Sequence, residues 1–303
     1  MFMDLYKELC AIAGKDAVSA DERMDRHTTF RIGGTADWFV TPSRTEEVRE
    51  IIQLCRKESV PYYIMGNGSN LLVGDRGYRG VIIQVFKKMS GIRTEGEKIY
   101  AQAGALLSKA AAAACEAELT GMEFASGIPG TLGGAIRMNA GAYGGEMAQV
   151  LESATVLTPE GEILTIPADQ MGMGYRTSIV SRMDYVVLEA VLALKKGDKA
   201  EIRARMDDLK QKRVSKQPLE FGSAGSTFKR PEGYFAGKLI EDAGLRGFRI
   251  GDAQVSEKHC GFVINRGKAT AAEVQELMDE VIRRVEESSG VRLEPEVKRI
   301  GEF

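Results

Sequence analysis

A twenty-residue glycine-rich stretch, residues 127–146, constrains the fold of this chain more than any other segment. It reads GIPGTLGGAIRMNAGAYGGE, and seven of its twenty residues are glycine. Glycine adopts positive φ and lets another molecule approach the backbone, and free N–H groups in such a stretch bind phosphate oxygens. A flexible loop is the alternative, but it would expose Ile128, Leu132, Ile136 and Met138. We therefore predict a loop that binds an anion or a cofactor.

Length and composition limit the classes of protein that this chain can be. Its 303 residues suit two or three domains, and a hydrophobic fraction of 44% is enough for real cores. A net charge of −2 gives no general attraction to nucleic acid or to an anionic membrane. The four cysteines lie far apart without metal-ligand spacing, so we expect reduced thiols, a cytoplasmic protein and no metal site. The first ten residues do not resemble a signal peptide, and the longest apolar run, residues 110–115, is too short to span a membrane.

A second glycine turn, residues 66–70, reads GNGSN and lies between two predicted strands, residues 62–65 and 71–73. A Rossmann site has a strand, a turn and a helix, and the third glycine of its GxGxxG motif is replaced here by Leu71. The GxxxxGK[ST] motif of a P-loop is also absent. Two separate glycine turns suggest two backbone contacts to one extended anion, such as a dinucleotide pyrophosphate.

Hydrophobic periodicity predicts an α+β fold. Two helices carry capping boxes, from Ser43 and Glu46 and from Thr270 and Glu273, and Gly290 is expected to end the last helix. The predicted helices cover residues 4–13, 43–58, 105–118, 199–214, 234–243 and 270–289. The predicted strands cover residues 36–40, 62–65, 71–73, 81–85, 98–104, 153–157, 162–166, 185–194, 260–264 and 292–300. The composition changes near residue 197, where we place the boundary between a cofactor domain and a smaller α/β domain.

Few side chains qualify for acid–base chemistry. The two histidines share no motif, and the GxSxG elbow of a serine hydrolase is absent. Arg176, Ser226 and Glu296 lie in three short segments, and each of them taken alone is compatible with a purely structural role. Residues 205–249 contain ten Lys or Arg against six Asp or Glu, which indicates either solvated surface or a pocket for an acidic substrate.

Seven segments taken together resemble the UDP-N-acetylenolpyruvoylglucosamine reductases (MurB). They are HTTFRIGG (27–34), MGNGSNLLV (65–73), the stretch 127–146, YRTSI (175–179), GSTF (225–228), FAGKLIEDAGLRG (235–247) and EVKRIGE (296–302). The resemblance extends from about residue 25 to the end of the chain, in the expected order, and the set is specific. GNGSN alone is shared with other flavoproteins of the vanillyl-alcohol-oxidase type.

The resemblance implies a cytoplasmic FAD enzyme of peptidoglycan and cell-wall synthesis. It implies an FAD-binding domain of the vanillyl-alcohol-oxidase (PCMH) type over residues 1–197, with subdomains at about 1–84 and 85–197. A substrate-binding domain covers residues 198–296, and the last strand, residues 297–303, returns to the first subdomain. The expected partners are NADPH and a nucleotide sugar, with no nucleic acid and no membrane, and the expected state is a monomer or weak dimer.

The implied reaction passes hydride from NADPH to the flavin, and from flavin N5 to the vinyl carbon of UDP-N-acetylglucosamine enolpyruvate. Protonation of the resulting enolate gives UDP-N-acetylmuramate. Arg176 matches the family residue that binds the carboxylate, where a fixed cation stabilises the developing charge. Ser226 matches the proton donor, and a serine stays protonated at neutral pH. Glu296 matches a third position, which either polarises the intermediate or acts as an acid with a pKa raised by burial.

Motif matching also implies binding residues. The implied FAD contacts are His27, Thr28, Thr29, Gly66, Asn67, Gly68, Ser69, Asn70, Gly127, Pro129, Gly130, Thr131, Gly134, Asn139, Gly141 and Ala142. The implied substrate contacts are Tyr175, Arg213, Lys229 and Lys238, with Arg213 the first choice for the UDP diphosphate. A tyrosine-bearing insertion found in some members is absent, since only fifty-one positions separate Tyr175 from Ser226, so this chain resembles the shorter subclass.

Two other functions remain open at this point. A flavin oxidase or dehydrogenase of the same fold, with another substrate, is compatible with the two glycine turns because fold does not fix function. A non-catalytic regulator that binds a nucleotide sugar or FAD is less compatible, since Arg176, Ser226 and Glu296 are all present.

Overall fold

The computed structural model describes residues 2–303, with side chains from Leu5 onward. Eight α-helices lie in this range. They are α1 (Phe2–Ala13), α2 (Thr45–Lys57), α3 (Leu107–Glu116), α4 (Leu132–Arg137), α5 (Ile179–Arg182), α6 (Lys199–Lys216), α7 (Ala236–Asp242) and α8 (Ala271–Ser289). None of the helices described over residues 2–303 is long and apolar enough to cross a membrane.

Eighteen short strands lie in the same described range. They are β1 (Val18–Arg23), β2 (Thr35–Val40), β3 (Tyr62–Met65), β4 (Leu71–Val73), β5 (Tyr78–Gln84), β6 (Ile92–Glu95), β7 (Lys98–Gln102), β8 (Leu119–Thr120), β9 (Gly141–Ala142), β10 (Gly145–Glu146), β11 (Leu151–Leu157), β12 (Ile163–Pro167), β13 (Val186–Ala193), β14 (Lys195–Lys196), β15 (Arg249–Ile250), β16 (Ala253–Val255), β17 (Val263–Asn265) and β18 (Lys298–Ile300).

The chain forms two compact units, each assembled from three segments. Unit 1 contains Met1–Ser19, Phe39–Asn67 and Val81–Arg213, and unit 2 contains Ala20–Trp38, Gly68–Gly80 and Val214–Phe303. The chain passes from one unit to the other inside β1, β2 and β5, inside the first glycine turn and near the end of α6. The predicted functional boundary at residue 197 stays a prediction, and the compact units themselves divide after Arg213.

Unit 1 is built around a five-stranded antiparallel sheet with the strand order β12-β11-β13-β7-β6. The central strand β13 is largely buried, which explains its long β-branched sequence. Helix α4, inside the glycine-rich stretch, contacts β13. Strand β3, which leads into the first glycine turn, pairs in parallel with β5. The sheet therefore supports the second glycine stretch, and β3 carries the first.

Unit 2 has a three-stranded antiparallel sheet, β15-β16-β17, against which α8 packs. The predicted buried stripe of α8 is confirmed, because Val274, Leu277, Val281 and Val285 are all fully buried. A separate parallel pair joins β18 near the end of the chain to β4. That pairing fixes the backbone that follows Glu296.

The ends of the helices separate correct capping predictions from incorrect ones. At α8 the Thr270 and Glu273 capping box is present, and Gly290 ends the helix with a φ of 72°. At α2 the predicted box of Ser43 and Glu46 is wrong, because the helix begins at Thr45. Glu47 instead accepts hydrogen bonds from the Ser43 N–H at 2.6 Å and from the Ser43 hydroxyl. The acidic side chain that reaches back from the first turn is thus one residue later than expected.

Two strand predictions and one loop prediction need correction. The expected strand at residues 292–300 is reduced to β18. The expected strand at 260–264 is reduced to β17, which begins three residues later and ends one residue later than predicted. Backbone N–H groups before β18 bond individually to other segments, as between Glu296 and the Thr227 carbonyl, so no regular ladder forms there. The stretch 127–146 is not a loop throughout, since it contains α4 and the β9–β10 hairpin.

Packing of α8 predicts a large stability difference between two adjacent positions. Leu277→Ala removes a fully buried side chain and should lower the free energy of unfolding by about 2–5 kcal/mol. The exposed neighbour serves as the control, and Glu276→Ala should change it by less than about 0.5 kcal/mol. Guanidinium unfolding followed by circular dichroism measures both. Equal losses in the two variants would contradict the placement of α8 in the core.

Candidate functional site

The two glycine turns meet where Gly66 lies against Thr131 in unit 1. A Cβ atom at Gly66 would lie 2.2 Å from Thr131 Oγ1, and Thr131 is buried, so only glycine fits without displacing it. Asn67 Nδ2 donates a hydrogen bond of 2.7 Å to the Pro129 carbonyl. The structure therefore brings Gly66 and Asn67 of the first turn to Pro129, Gly130 and Thr131 of the second.

Part of the second turn is occupied by the protein's own hydrogen bonds. The Leu132 and Gly133 N–H groups, at the start of α4, donate to the Ala105 and Ala103 carbonyls at 2.8 Å. These two N–H groups are thus not free to bind a phosphate, as the simplest view of a glycine-rich loop would suppose. They hold the turn in place. The next residue, Gly134, lines the adjacent cavity.

A cavity of about 370 Å³ adjoins these turns and is lined entirely by unit 1. Its walls come from β3, from the Gly66 and Thr131 contact, from α4 and from residues 180–187. Burial raises the pKa of the Tyr63 phenol, which lines the cavity. Arg137 lies 3.3 Å from the Asp184 carboxylate and donates to the Val180 carbonyl at 3.2 Å. The cavity therefore combines apolar walls with phenol, guanidinium and carboxylate groups.

Most residues of this cavity lining are not predictable from the sequence. Arg137 is the only charged residue of the glycine-rich stretch before Glu146, and that isolation was the available signal. Tyr62, Tyr63 and Asp184 carry no such signal, because a strand tyrosine and a turn aspartate are common in any protein. Only the fold brings residues 62–66 and 180–187 to the same cavity.

Arg176 lies in a tight loop of unit 1, with a positive φ of 56°. The loop is closed by a bridge between Gly174 and Thr177, and the guanidinium carbon lies 5.1 Å from the centre of the Tyr175 ring. Tyr175 is exposed. A non-glycine residue at positive φ costs about 1–3 kcal/mol, so the surrounding contacts must hold Arg176 in this conformation.

Asn139 connects the glycine-rich stretch to the Arg176 loop. Its side chain is buried, donates to the Gly174 carbonyl at 3.2 Å and accepts from the Ala148 N–H at 2.9 Å. The side chain of this predicted cofactor contact is therefore occupied in positioning the loop. Nearby, Gly141 and Ala142 form β9 and pair with β10.

Arg213, at the end of α6, is the predicted substrate cation with the most distinctive surroundings. Its Nε is buried and has no hydrogen-bond partner among the described residues. Its Nη1 lies 2.9 Å from the position that a Cβ atom would take at Gly127. Burial lowers the pKa of Arg213, yet an arginine remains charged at neutral pH. Such a cation is suited to an anionic ligand.

In unit 2 Glu296 is hydrogen-bonded to Thr227, the residue that follows Ser226 in the chain. Ser226 is exposed, whereas Thr227 is 1% exposed and Glu296 8% exposed. The Thr227 carbonyl accepts the Glu296 N–H at 2.8 Å, and Thr227 Oγ1 accepts the Val263 N–H at 2.8 Å. The Thr227 N–H donates to the Gly261 carbonyl at 2.9 Å. Arg176 belongs to unit 1.

The first glycine turn continues into unit 2, where Asn70 holds the segment of Glu296. Asn70 Nδ2 donates to the Glu296 carbonyl at 3.2 Å, and the Asn70 carbonyl accepts the Lys298 N–H at 3.0 Å. Ser69 next to it is half-buried. Asn70 therefore positions a predicted catalytic residue, a role that its glycine-turn motif did not indicate.

Residues 27–29 pack against Gly68 in unit 2. A Cβ atom at Gly68 would lie 2.1 Å from the His27 carbonyl oxygen, and the Thr29 N–H donates to the Gly68 carbonyl at 3.2 Å. The side chains also serve the fold. His27 Nε2 lies 2.9 Å from Glu22, and Thr28 and Thr29 donate to the Ile32 and Ser223 carbonyls.

The two predicted substrate lysines are both ion-paired within the protein. Lys229 Nζ lies 2.8 Å from the Glu294 carboxylate, and Lys238 pairs with Asp242 one helical turn later. Exposed pairs of this kind are weak, so a phosphate could displace them. An anion would have to replace a carboxylate partner at each lysine, whereas Arg213 Nε has no such partner among the described residues.

Two family models match the chain. An FAD binding domain model matches residues 36–167, and a model of the UDP-N-acetylenolpyruvoylglucosamine reductase C-terminal domain matches residues 217–300. A 4-ethylphenol oxidase from Gulosibacter chungangensis is 14% identical over 97% of this chain and 65% of its own, with a TM-score of 0.51. That likeness shows the fold alone, which is α+β with an FAD-binding domain of the PCMH type.

More similar proteins match over nearly the full length. UDP-N-acetylenolpyruvoylglucosamine reductase from Clostridium novyi is 50% identical over 99% of this chain and 97% of its own. The corresponding enzyme from Agathobacter rectalis is 54% identical over 93% of this chain and 94% of its own. The crystal structure of the reductase from Thermus caldophilus has a TM-score of 0.80 at 36% identity, over 92% of this chain and 98% of its own. The chain belongs to the UDP-N-acetylenolpyruvoylglucosamine reductase (MurB) family.

Proposed function

We propose that this protein reduces UDP-N-acetylglucosamine enolpyruvate to UDP-N-acetylmuramate, with FAD as cofactor and NADPH as co-substrate, in peptidoglycan synthesis. The relatives that match over the full length carry this enzyme's name. The observation that carries the proposal is the junction at Thr227, where an exposed serine adjoins a residue hydrogen-bonded to a buried glutamate. The cytoplasmic location and the monomeric or weakly dimeric state rest on the family resemblance, and light scattering measures the latter.

The residues of unit 1 fit FAD. A dinucleotide needs a close backbone approach, which the Gly66 and Thr131 contact provides, and a cavity with polar groups, which adjoins it. FAD, when bound, would supply the hydride-transfer chemistry between NADPH and the vinyl carbon of the substrate. The backbone of residues 66–67 and 130–131 would hold the pyrophosphate, and the adjoining cavity would take an adjacent part of the cofactor.

Arg176 is proposed to bind the carboxylate of the enolpyruvyl group. Addition of hydride to the vinyl carbon sends electron density toward this carboxylate, so a fixed cation stabilises the transition state more than the ground state. A guanidinium matches a carboxylate through two parallel N–H groups. The closed loop of Gly174 and Thr177, tied to Asn139, would keep the guanidinium in place.

Ser226 is proposed to donate the proton that completes the reduction. Its hydroxyl is protonated at neutral pH and exposed, as a donor to a substrate must be. Glu296 is proposed to assist from the buried side of the same junction, either by polarising the intermediate or as an acid. Its backbone is fixed by Thr227 and Asn70, which suits a group with a fixed orientation.

Arg213 is proposed to bind the UDP diphosphate. Its buried Nε–H, without a protein partner among the described residues, would donate a charge-assisted hydrogen bond to a phosphate oxygen. Lys229 and Lys238 are secondary choices because each already has a carboxylate partner. Tyr175, exposed beside Arg176, is proposed as a further substrate contact.

A flavin oxidase of the same fold is the second candidate, because the two glycine turns and the match to an FAD binding domain model are compatible with another substrate. The two functions differ in what reoxidises the reduced flavin. Rapid reoxidation by oxygen without the UDP-sugar would support the oxidase, and rapid anaerobic reoxidation by the UDP-sugar supports the reductase.

Gly66→Ala tests the FAD site. The added methyl group meets Thr131 and should abolish or strongly weaken FAD binding, measured as flavin absorbance per protein after reconstitution. Gly267→Ala is the matched control, because its Cβ would meet only Asp252 Oδ2 at 3.6 Å, and it should bind FAD normally. Normal flavin content in Gly66→Ala would exclude this turn from the cofactor site.

Ser226→Ala tests the proton donor. It should leave the reduction of the flavin by NADPH within about twofold and slow its reoxidation by the enolpyruvyl UDP-sugar by about 10²–10⁴-fold. Anaerobic stopped-flow measures the two half-reactions separately. Ser289→Ala in unit 2, whose hydroxyl donates to the Val285 carbonyl, should alter neither. An equal loss in both half-reactions would argue against proton donation.

Arg213→Gln tests the diphosphate contact. Loss of a charge-assisted hydrogen bond costs about 1.5–3 kcal/mol, so the KM for the UDP-sugar should rise by about 10–100-fold. Arg205→Gln removes a cation of the same helix that pairs with Asp208, and it should change KM by less than about twofold. A KM in Arg213→Gln equal to that of Arg205→Gln would refute the assignment.

A further inference from the structure

His259 lies in unit 2, in a turn that supports the junction carrying Ser226 and Glu296. Its Nδ1 accepts the Gly261 N–H at 3.1 Å, and the Gly261 carbonyl accepts the Thr227 N–H at 2.9 Å. The Thr227 carbonyl in turn accepts the Glu296 N–H at 2.8 Å. A series of hydrogen bonds therefore leads from the imidazole to Thr227, which follows Ser226 in the chain, and on to the Glu296 N–H.

The imidazole is held in one orientation. Cβ atoms at Gly237 and Gly261 would lie 3.3 and 3.0 Å from His259 Cε1, so the ring is packed between two glycine backbones. The Phe262 ring lies edge-on, with its centroid 5.0 Å away. The backbone of the turn is fixed as well. The backbone N–H of His259 donates to Ser256 Oγ at 3.3 Å, and the backbone N–H of Phe262 donates to the His259 carbonyl at 3.0 Å. The ring therefore has little room to find another partner.

We propose that neutral His259 is a positioning residue for the proton donor, and that its protonation releases Gly261 and displaces Ser226 from its productive position. An imidazole nitrogen accepts a hydrogen bond only while it lacks a proton. A proton on Nδ1 would point at the Gly261 N–H, so the two donors would repel each other. This inference rests on the proposed role of Ser226.

The surroundings of His259 keep it neutral near pH 7. Burial is the largest cause that lowers the pKa of His259 from its ordinary 6.5; a backbone hydrogen bond opposes this shift, and the positive charges of Arg246 and Lys216 add to it. Arg246 comes from the loop after α7 and is paired with Glu241 of that helix. Lys216 is the last residue of α6.

Two further titratable or charged groups belong to the same surroundings. Burial raises the pKa of the adjacent Cys260 thiol, which therefore stays neutral. Lys258 directs its Nζ away to the Val214 carbonyl, at 2.7 Å. Because the neutral form of His259 is favoured in the fold, its acceptor function is complete above about pH 6.5 and is lost as the pH falls through its lowered pKa.

The test measures both half-reactions against pH in the FAD-loaded enzyme. In the wild type, the rate of flavin reoxidation by the enolpyruvyl UDP-sugar should fall about tenfold per pH unit below the inflection. A single proton on His259 is enough to displace Ser226 from its productive position. Flavin reduction by NADPH should not show this limb. His259→Asn keeps an oxygen acceptor that does not titrate, so the acid limb should disappear while the rate at pH 7.5 stays within about threefold.

Two more variants sharpen the result. His259→Leu removes the acceptor and should slow reoxidation about tenfold or more at every pH, with flavin reduction by NADPH unchanged. Lys216→Gln removes a repelling charge and should move the inflection to higher pH, and it should have no such effect in the His259→Asn background. Equal losses of both half-reactions in His259→Leu would indicate a merely structural role and overturn the inference.

Ser226→Ala, measured alongside, separates the two proposals. Wild-type reoxidation in Ser226→Ala contradicts the proposed proton donor itself. Slow reoxidation in Ser226→Ala together with an unchanged acid limb in His259→Asn contradicts only the positioning role of His259. Loss of the acid limb in His259→Asn, with slow reoxidation in Ser226→Ala, supports both.

Discussion

The hydrogen bond from the Glu296 N–H to the Thr227 carbonyl is the interaction on which the proposed chemistry of unit 2 depends. It joins two segments that are about seventy residues apart in the sequence, and it ties Glu296 to the residue that follows Ser226. Thr227 is almost completely buried, and its backbone and hydroxyl groups bond to Gly261, Val263 and Glu296. The exposed Ser226 is thus followed by a buried residue whose backbone and hydroxyl groups are all hydrogen-bonded. Such support is what a catalytic group needs in order to keep its geometry.

A comparable constraint organises unit 1. The contact between Gly66 and Thr131 exists only because Gly66 has no side chain, and it brings the two glycine turns together beside the cavity. The protein's own hydrogen bonds to Leu132 and Gly133 keep the second turn rigid at the cost of two possible phosphate donors. Asn139 extends this rigidity to the loop of Arg176. The glycine-rich stretch is therefore a rigid segment that links the cavity to the loop of Arg176. It is not a loop whose N–H groups are all free to bind phosphate.

Much of the fold could be predicted because local physics decides it. Helix α8 has its apolar stripe, its capping box and its terminal glycine in the sequence, and all three are present in the structure. At α2 two acidic residues, Glu46 and Glu47, could each have completed the cap, and sequence spacing alone selected the wrong one. The sequence predicts a strand in the segment before β18, where the structure is irregular. The backbone there bonds to distant residues such as Thr227 instead of to one neighbouring strand. Local patterns carry no information about such partners.

The same limit applies to the site. Motif resemblance indicated Arg176, Ser226 and Glu296, but the supporting roles of Thr227, Asn70, Asn139 and His259 come from contacts between remote segments. Tyr63 and Asp184 were missed for the same reason, since only the folded chain brings them to the cavity beside Gly66. Residue types that donate or accept hydrogen bonds are common in any sequence, and their partners are a property of the fold.

The central claim, that this chain is a reductase specific for an enolpyruvyl UDP-sugar, is tested most directly by one anaerobic experiment. The enzyme reconstituted with FAD is reduced by one equivalent of NADPH and then mixed with UDP-N-acetylglucosamine enolpyruvate. The account predicts that the absorbance of oxidised flavin returns and that one equivalent of UDP-N-acetylmuramate forms. Flavin that stays reduced in the presence of this substrate, and is reoxidised only when oxygen is admitted, would contradict it.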